Sequence, residues 1–380
     1  MDKALKILLL GDYSNCHVSL AKGLRDLGHE VTVASDGSGW QRTERDIDIS
    51  RPFSGKIGGA LQYIRFRWDL RKKLSGYDVV SLHNPLFAHL RPERTRPIFD
   101  SLFDDNRSVF LTAMGSDTNF IQECLDPNSL LKYNEWRIGS EAAPLQKAFP
   151  EKVGEWTSAP MVAYHDYFYS RIHGATPILY EYDVALRRKL PREKIGYIGL
   201  PIYLPDLNPV EIDKRNGKIN IFLGRHANRL IEKGTDILEE AARRVVEKHP
   251  DRAELTIVEN RPYDEYIKLL RSADIVLDQL YSYTPATNAL LAMAYGQCAV
   301  SGGEPEFYDF IGETENRPGI NAVPDLDRLT EDLERIVLQP EKLPGRGQAS
   351  RRFVEKYNDA VDVARRAVDF WTKRMDDLGL

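Results

Sequence analysis

Apolar runs of strand length alternate with stretches of helical period from the start of this chain: LKILLLG, then VSLAKGLRDLG, then HEVTVAS. Such alternation predicts beta-alpha-beta units and therefore an open parallel sheet. Further strands are expected at Tyr77 to His83, Ser108 to Met114, Thr176 to Glu181 and Lys194 to Leu200. The segment PIYLPDLNPVEIDKRNGK carries three prolines and several charges without a core-facing period, and reads as a linker. The alternation then restarts with INIFLGR, GTDILEEAARRVVEKH, AELTIVE, YDEYIKLLRSA, DIVLDQL, YSYTPATNALLAMAYG and QCAVSGG. A chain of 380 residues is too long for one core, so two α/β domains with a cleft between their parallel sheets are expected. The boundaries fall at 1–203, a linker at 204–217, a second domain at 218–345 and terminal helices at 346–380 packing back toward the first domain.

Hydrophobic content of 42% and charged content of 29% exclude a disordered, collagenous or membrane-spanning chain. Cys16, Cys124 and Cys298 lie far apart in no metal-ligand spacing, which argues for neither disulfides nor zinc and places the chain in a reducing cytosol. The opening MDKALKILLLGDYS reads as a first strand and not as a signal peptide. A net charge of -5 argues against nucleic acid as a partner.

Ligands of open parallel sheets sit beyond the carboxyl ends of the strands, so the residues following each strand are the candidates. In the first half these include Asp12, Asn15 and His17 on the acceptor side, with His83 and Asp117 as catalytic candidates. Imidazole titrates near neutrality, which suits His83 to act as a base or orienting group; a histidine at a strand end is also commonly structural. Asp117 can equally be an N-cap for the helix beginning TNFIQE. In the second half, Thr284 is a good N-cap and Pro285 a good first helical residue, leaving the N–H groups of Ala286, Thr287 and Asn288 to meet a phosphate. The bland alternative is a threonine that caps its own helix. Arg225, Arg229 and Lys233 in GRHANRLIEKG place cations at the sheet mouth. Alone they read as solvated surface; paired with the Thr-Pro helix they suit a diphosphate.

The segment GRHANRLIEKGTDILEEA resembles the Gly-Arg, Lys-Gly signature of GT-B glycosyltransferases of the group 1, or family 4, type. LRSADIVLDQLYSYTPATNALLAMAYGQCAVSGGEPEF is similar to their donor segment, GDYSNCHVSLAKGLRDLGHEVTV to their first acceptor-side unit, and LTAMGSD to their His-Gly-Ser-Asp turn. The resemblance implies two Rossmann-like domains facing across a cleft. It assigns Arg225 and Lys233 to the donor diphosphate and the departing nucleotide, and Gly224, Arg229, Thr284, Thr287, Asn288, Gly303 and Glu306 to donor binding. Two departures stand out: the family's paired glutamates fall at Tyr283 and Leu291, and the turn histidine is Met114. Leucine accepts no hydrogen bond, so ribose recognition must differ.

The expected activity is transfer of a sugar from a nucleotide-diphosphate sugar to a saccharide or lipid-linked saccharide, in surface polysaccharide assembly. The resemblance implies a retaining reaction, with no metal and no cofactor beyond the nucleotide-sugar co-substrate, because fixed cations and helix N–H groups can stabilise the leaving group. The alternatives are a nucleotide-sugar epimerase on the same fold and a non-catalytic saccharide-binding relative. Finally, RPFSGKIGGALQYIRFRWDLRKKLS holds seven Lys/Arg against one Asp. Ile57, Leu61, Ile64 and Trp68 form a helical stripe expected to face the core, with the basic face in solvent. The alternative is a weak peripheral contact of the helix 56–73 with anionic lipid at the inner face of the membrane.

Overall fold

The computed structural model describes residues 4–37, 44–210, 212 and 217–380. Thirteen strands occur among them: β1 (Lys6–Leu10), β2 (Glu30–Ser35), β3 (Ile47–Asp48), β4 (Val79–Leu82), β5 (Val109–Ala113), β6 (Arg137–Ile138), β7 (Glu141–Ala142), β8 (Gly174–Pro177), β9 (Ile219–Arg225), β10 (Ala253–Glu259), β11 (Ile275–Leu277), β12 (Cys298–Ser301) and β13 (Ile320–Asn321). Two α/β sheets contain all but the short β6-β7 hairpin, in the orders β3-β2-β1-β4-β5-β8 and β10-β9-β11-β12-β13. Every pairing in both sheets is parallel. Central strands such as VVSL in β4 and CAVS in β12 are buried at every position, as expected where helices cover both faces of a sheet.

The chain divides into two compact units, residues 1–123, 151–203 and 360–380 in one and 124–150 with 204–359 in the other. Residues 124–150 thus group with the second sheet, whereas the periodicity runs the first domain unbroken to 203. The terminal helices also part company. Leu343–Tyr357 belongs to the second unit, and Ala360–Leu378 to the first, where Val363, Ala364, Ala367 and Trp371 are fully buried. Both helices carry apolar stripes of helical period, so their spacing could not say which sheet each covers. Part of the expected linker, residues 211 and 213–216, lies outside the described residues.

Three local expectations are corrected. The strand predicted to Glu181 stops at Pro177, and Tyr180–Leu186 is helical. The Lys194 to Leu200 segment runs beside β8, to which Gly196 and Ile198 donate N–H bonds of 3.0 and 3.2 Å, but pairs with it only at one isolated bridge. Most consequentially, the stripe Ile57, Leu61, Ile64 and Trp68 does not face the core: these side chains are 74%, 38%, 51% and 74% exposed. The helix Gly55–Arg67 instead buries Gly58, Gly59, Gln62 and Phe66. A Cβ on Gly58 would come within 1.7 Å of the Phe53 carbonyl oxygen, so only the glycine face can seat this closely.

Trp371 is wholly buried and its ring centroid lies 6.1 Å from that of Phe110 on β5. Trp371→Ala should therefore cost about 3–5 kcal/mol through lost transfer energy and a residual cavity. The expected readout is a lower urea midpoint of unfolding; an unchanged midpoint would mean the C-terminal helix does not contribute to the core of the first unit.

Candidate functional site

In each sheet the strand order reverses once, between β1 and β4 and between β9 and β11. At such a point neighbouring loops leave in opposite directions and open a crevice at the carboxyl edge.

At the first reversal the chain leaves β1 through Gly11, whose φ of +80° and missing Cβ both matter. A Cβ there would lie 1.8 Å from His83 Nδ1. Ser14 and Asn15 then adopt left-handed backbone conformations, turning the chain into the helix Cys16–Asp26. Asn15 occupies the N-cap position but its side chain makes no capping bond; Asp12 caps instead, accepting the His17 N–H at 2.9 Å and the Val18 N–H at 3.4 Å. Burial pushes the Asp12 carboxyl up to about 7 despite these backbone donors.

His17 and His83 are both fully buried. His17 Nδ1 lies 2.6 Å from the Gly11 carbonyl and His83 Nδ1 3.2 Å from that of Leu10. A carbonyl only accepts, so both rings carry their proton on Nδ1 and present a bare Nε2, for which no hydrogen-bond partner occurs among the described residues. Burial lowers His17 to about 4 and, with repulsion from His89 and His17, holds His83 well below the usual imidazole range. Tyr13 meets the His83 ring edge-on at 4.4 Å, and His89 lies 5.8 Å from it. His83 and Asp117 line one small recess together with Asn84, Met114 and Tyr169. Asp117 accepts the Phe120 N–H at 2.7 Å, which makes it an N-cap, and also accepts the Tyr169 hydroxyl.

At the second reversal the expected cations are present, but each already holds a carboxylate. Arg225 is paired with Glu239 and, at 2.8 Å, with Glu259. Arg229 is paired with Glu232. Lys233 Nζ stands 3.6 Å from Oδ1 of Asp278, a carboxylate only 1% exposed that follows β11. The Leu280 N–H donates to the Lys233 carbonyl at 2.8 Å, so the two loops that flank the reversal are tied by backbone as well as by charge.

Thr284 is not the N-cap of the following helix. That helix spans Thr287–Ala294, its N-cap is Ala286 in an extended conformation, and Thr284 is buried in the preceding turn, where its carbonyl accepts the Ser282 hydroxyl at 3.1 Å. The first-turn N–H groups, which an α-helix cannot satisfy internally, belong to Thr287, Asn288 and Ala289. Asn288 Oδ1 accepts the Tyr266 hydroxyl at 2.7 Å. Room for Tyr266 is made at Gly224, where a Cβ would lie 2.4 Å from that hydroxyl. Gly224 and Asn288 are thus joined through Tyr266, a residue with no marking in the sequence.

Beyond β12 and β13 a polar knot gathers around Glu304. It accepts the Tyr133 hydroxyl at 2.8 Å and Asn321 Nδ2 at 2.6 Å, and pairs with Lys132 at 3.2 Å. Burial raises its pKa, but these bonds outweigh burial and hold the carboxyl below its ordinary range. Lys132 also pairs with Glu306 Oε1 at 2.5 Å, while Glu306 Oε2 is buried without a hydrogen-bond partner among the described residues. The Gly303 N–H is already donated to Asn321 Oδ1 at 3.0 Å. Tyr283 accepts the Lys132 N–H and lies against Tyr133, ring centroids 5.2 Å apart. Leu291 is partly buried against the apolar core of this unit. Lys132 and Tyr133 were illegible as site neighbours, because they lie 151 to 172 positions before Tyr283 and Glu304 in a segment without periodicity.

No family model matches the chain, and no curated protein matches it. Solved structures do. Sucrose-phosphate synthase from Thermosynechococcus elongatus superposes with a TM-score of 0.65 at 14% identity, covering 98% of this chain and 100% of that one. Anabaena HepE in complex with UDP-glucose gives 0.59 at 10% identity, covering 97% and 100%. A putative UDP-N-acetylglucosamine 2-epimerase from Listeria monocytogenes gives 0.55 at 12%, covering 97% and 96%. The chain has the GT-B fold. At these identities the likeness carries the fold alone, and what the site does rests on its own residues.

Asp12 and His17 respond to pH with opposite sign. The folded pKa of Asp12 lies above its unfolded value of about 3.9, so its contribution to stability falls as pH rises from about 4 to about 7. The folded pKa of His17 lies below its unfolded value of about 6.5, so its contribution rises between about 4 and 6.5. Asp12→Asn removes only the first effect. Unfolding free energies of the variant from urea titration should equal those of the wild type near pH 4 and exceed them increasingly toward pH 7, by up to about 1.4 kcal/mol per pH unit; parallel pH profiles would refute the raised carboxyl.

Proposed function

We propose that the protein transfers a sugar from a nucleotide-diphosphate sugar to a hydroxyl of a saccharide or lipid-linked saccharide acceptor. The observation that carries this reading is Lys233: an ammonium held at the strand-order reversal of the second sheet by a buried carboxylate, Asp278, on the segment that leads from β11 into a helix whose first-turn N–H groups need acceptors. Anabaena HepE, which shares the fold, is described in complex with UDP-glucose. The donor site then comprises Lys233 and Arg225 on the diphosphate, the N–H groups of Thr287 and Asn288 on the same oxygens, and the bare Oε2 of Glu306 on a sugar or ribose hydroxyl. Arg229, one turn away and 51% exposed, can join by leaving Glu232.

In the reaction the bond from the anomeric carbon to the phosphate oxygen breaks, and its electron pair leaves with the nucleoside diphosphate. The new bond forms to the acceptor oxygen, and its proton passes to the departing diphosphate that holds the electron pair of the broken bond. Charge grows on the leaving phosphate, where fixed cations and helix N–H groups lower the barrier. Arg225 is bound to two carboxylates and must loosen one of them to reach phosphate, so Lys233, with one partner at 3.6 Å, carries more of the effect. Among acceptor-side groups, the bare Nε2 of His83 is suited to accept a hydrogen bond, while Asp12, Asn15 and Asp117 act through the backbone they cap or turn. Retention of configuration, metal independence and a role in surface polysaccharide assembly belong to the same reading. A second reading, interconversion of the donor sugar, draws on the fold shared with the putative Listeria 2-epimerase; Leu291 and Met114, where the expected glutamate and histidine are missing, suit instead a non-catalytic relative.

Removing Lys233 alone leaves Asp278 buried without its counter-charge, which confounds binding with stability. The test therefore compares Lys233→Ala with Lys233→Ala/Asp278→Asn. The double variant should recover thermal stability yet remain at least about 100-fold down in kcat/KM, equivalent to roughly 3 kcal/mol of transition-state stabilisation. Release of nucleoside diphosphate from a panel of nucleotide sugars, with and without saccharide acceptors, is the measurement. Acceptor-dependent release lost in both variants is expected; isomerised donor points to the second reading, and binding without turnover to a non-catalytic relative.

A further inference from the structure

Half of the ten large hydrophobic side chains exposed among the described residues fall in one short segment: Phe53, Ile57, Leu61, Ile64 and Trp68. Along the helix Gly55–Arg67 and its C-cap Trp68 the positions 57, 61, 64 and 68 recur every three or four residues, so they form a single ridge about 16 Å long. The ridge cannot turn inward. The opposite face is seated through Gly58, Gly59, Gln62 and Phe66, and the two flanks are stapled by guanidinium groups. Arg65 donates to the carbonyls of Ser50 and Asp48 at 2.8 and 3.0 Å; Arg67 donates to the Pro97 carbonyl and the Ser101 hydroxyl at 2.9 and 3.0 Å. The exposed ridge is therefore a fixed feature of the first unit.

We propose that this ridge docks the protein on an anionic phospholipid surface. Charge decides between lipid and a protein partner. Residues 51–75 hold seven Lys/Arg against the single carboxylate of Asp69. Arg51, Arg65, Arg67 and Arg71 are engaged within the fold, whereas Lys56, Lys72 and Lys73 are exposed and their ammonium groups have no hydrogen bond or ion pair among the described residues. Lys56 lies before the ridge and Lys72 and Lys73 after it, so free ammonium groups bracket an aliphatic and aromatic strip at both ends. That is the arrangement of an interfacial helix: apolar side chains enter the acyl boundary, lysine stems lie along it, and their heads meet phosphate. A single helix of this length gives reversible attachment, and each lysine adds attraction to an anionic leaflet that salt screens. A protein interface of the same size would more commonly deplete lysine.

The proposal is independent of the transfer chemistry, and its test uses no substrate. The full chain is sedimented with vesicles of phosphatidylcholine and with vesicles of phosphatidylcholine mixed with phosphatidylglycerol. The expected result is pelleting with the mixed vesicles only, weakened by high salt. Ile57→Glu/Ile64→Glu should reduce the bound fraction at least tenfold, and Lys56→Glu/Lys72→Glu/Lys73→Glu should reduce it most strongly at low salt. All five positions are exposed, so thermal midpoints should match the wild type and exclude misfolding as the cause. Absence of pelleting, or equal pelleting of wild type and Ile57→Glu/Ile64→Glu, overturns the proposal. Failure to bind vesicles, together with self-association on gel filtration that the double glutamate variant abolishes, overturns it in favour of a second copy of the chain.

Discussion

Parallel pairing is the constraint on which the rest of the structure depends. Strands that all run one way need a crossover between neighbours, and the crossover helices cover both faces of the sheet. Every strand then delivers its carboxyl end, and the loop that follows, to the same edge. Where the order reverses, between β1 and β4 and between β9 and β11, two such loops separate and their backbone groups are left to be satisfied by side chains or ligand. Gly11 with His83 at the first reversal, and Lys233 with Asp278 at the second, are the local solutions.

The two solutions differ in kind. At the first reversal the groups are buried and neutral in tendency: burial raises Asp12 and lowers His17 and His83, so the site favours the uncharged form of each. At the second, charge is retained by pairing. Arg225, Arg229 and Lys233 there, and Lys132 beyond β12, all hold carboxylates, and the pairs with buried partners are those of Lys233 with Asp278 and Lys132 with Glu304. A phosphate arriving there competes with carboxylates already in place. Donor recognition on this reading is an exchange of anions, and the carboxylates set how tightly phosphate must bind to displace them.

The helix Gly55–Arg67 shows how a correct period can be read with the wrong face. Its apolar stripe has the spacing of a core-facing helix, yet the face that packs is the one bearing two glycines, because only there can the backbone approach closely. Spacing reports that four side chains share a face; it does not report which face the rest of the protein leaves open.

The longer strands were legible, most cleanly in the second half, where INIFLGR and AELTIVE match β9 and β10 end to end, whereas the two-residue β3, β6, β7 and β13 carry no periodicity to read. Runs of buried apolar residues leave little freedom in a parallel sheet, and the loops following them could be named as candidate sites for the same reason. A Thr284 cap followed by Pro285 places the helix start two residues before the observed Thr287, because a good capping residue is a local preference that the buried turn around Tyr283 overrides. Lys132, Tyr133, Tyr266 and Asn321 could not be found at all, since nothing in a linear pattern brings residues 132 and 304, or 266 and 288, together. Sequence alone determined the α/β class, the order of strands along the chain and the positions of the cations, because these follow from local periodicity and composition. Tertiary structure alone decided which carboxylate each cation holds, which oxygen and nitrogen atoms stay bare, and which face of the helix Gly55–Arg67 meets solvent, because those depend on distances between residues far apart in the chain.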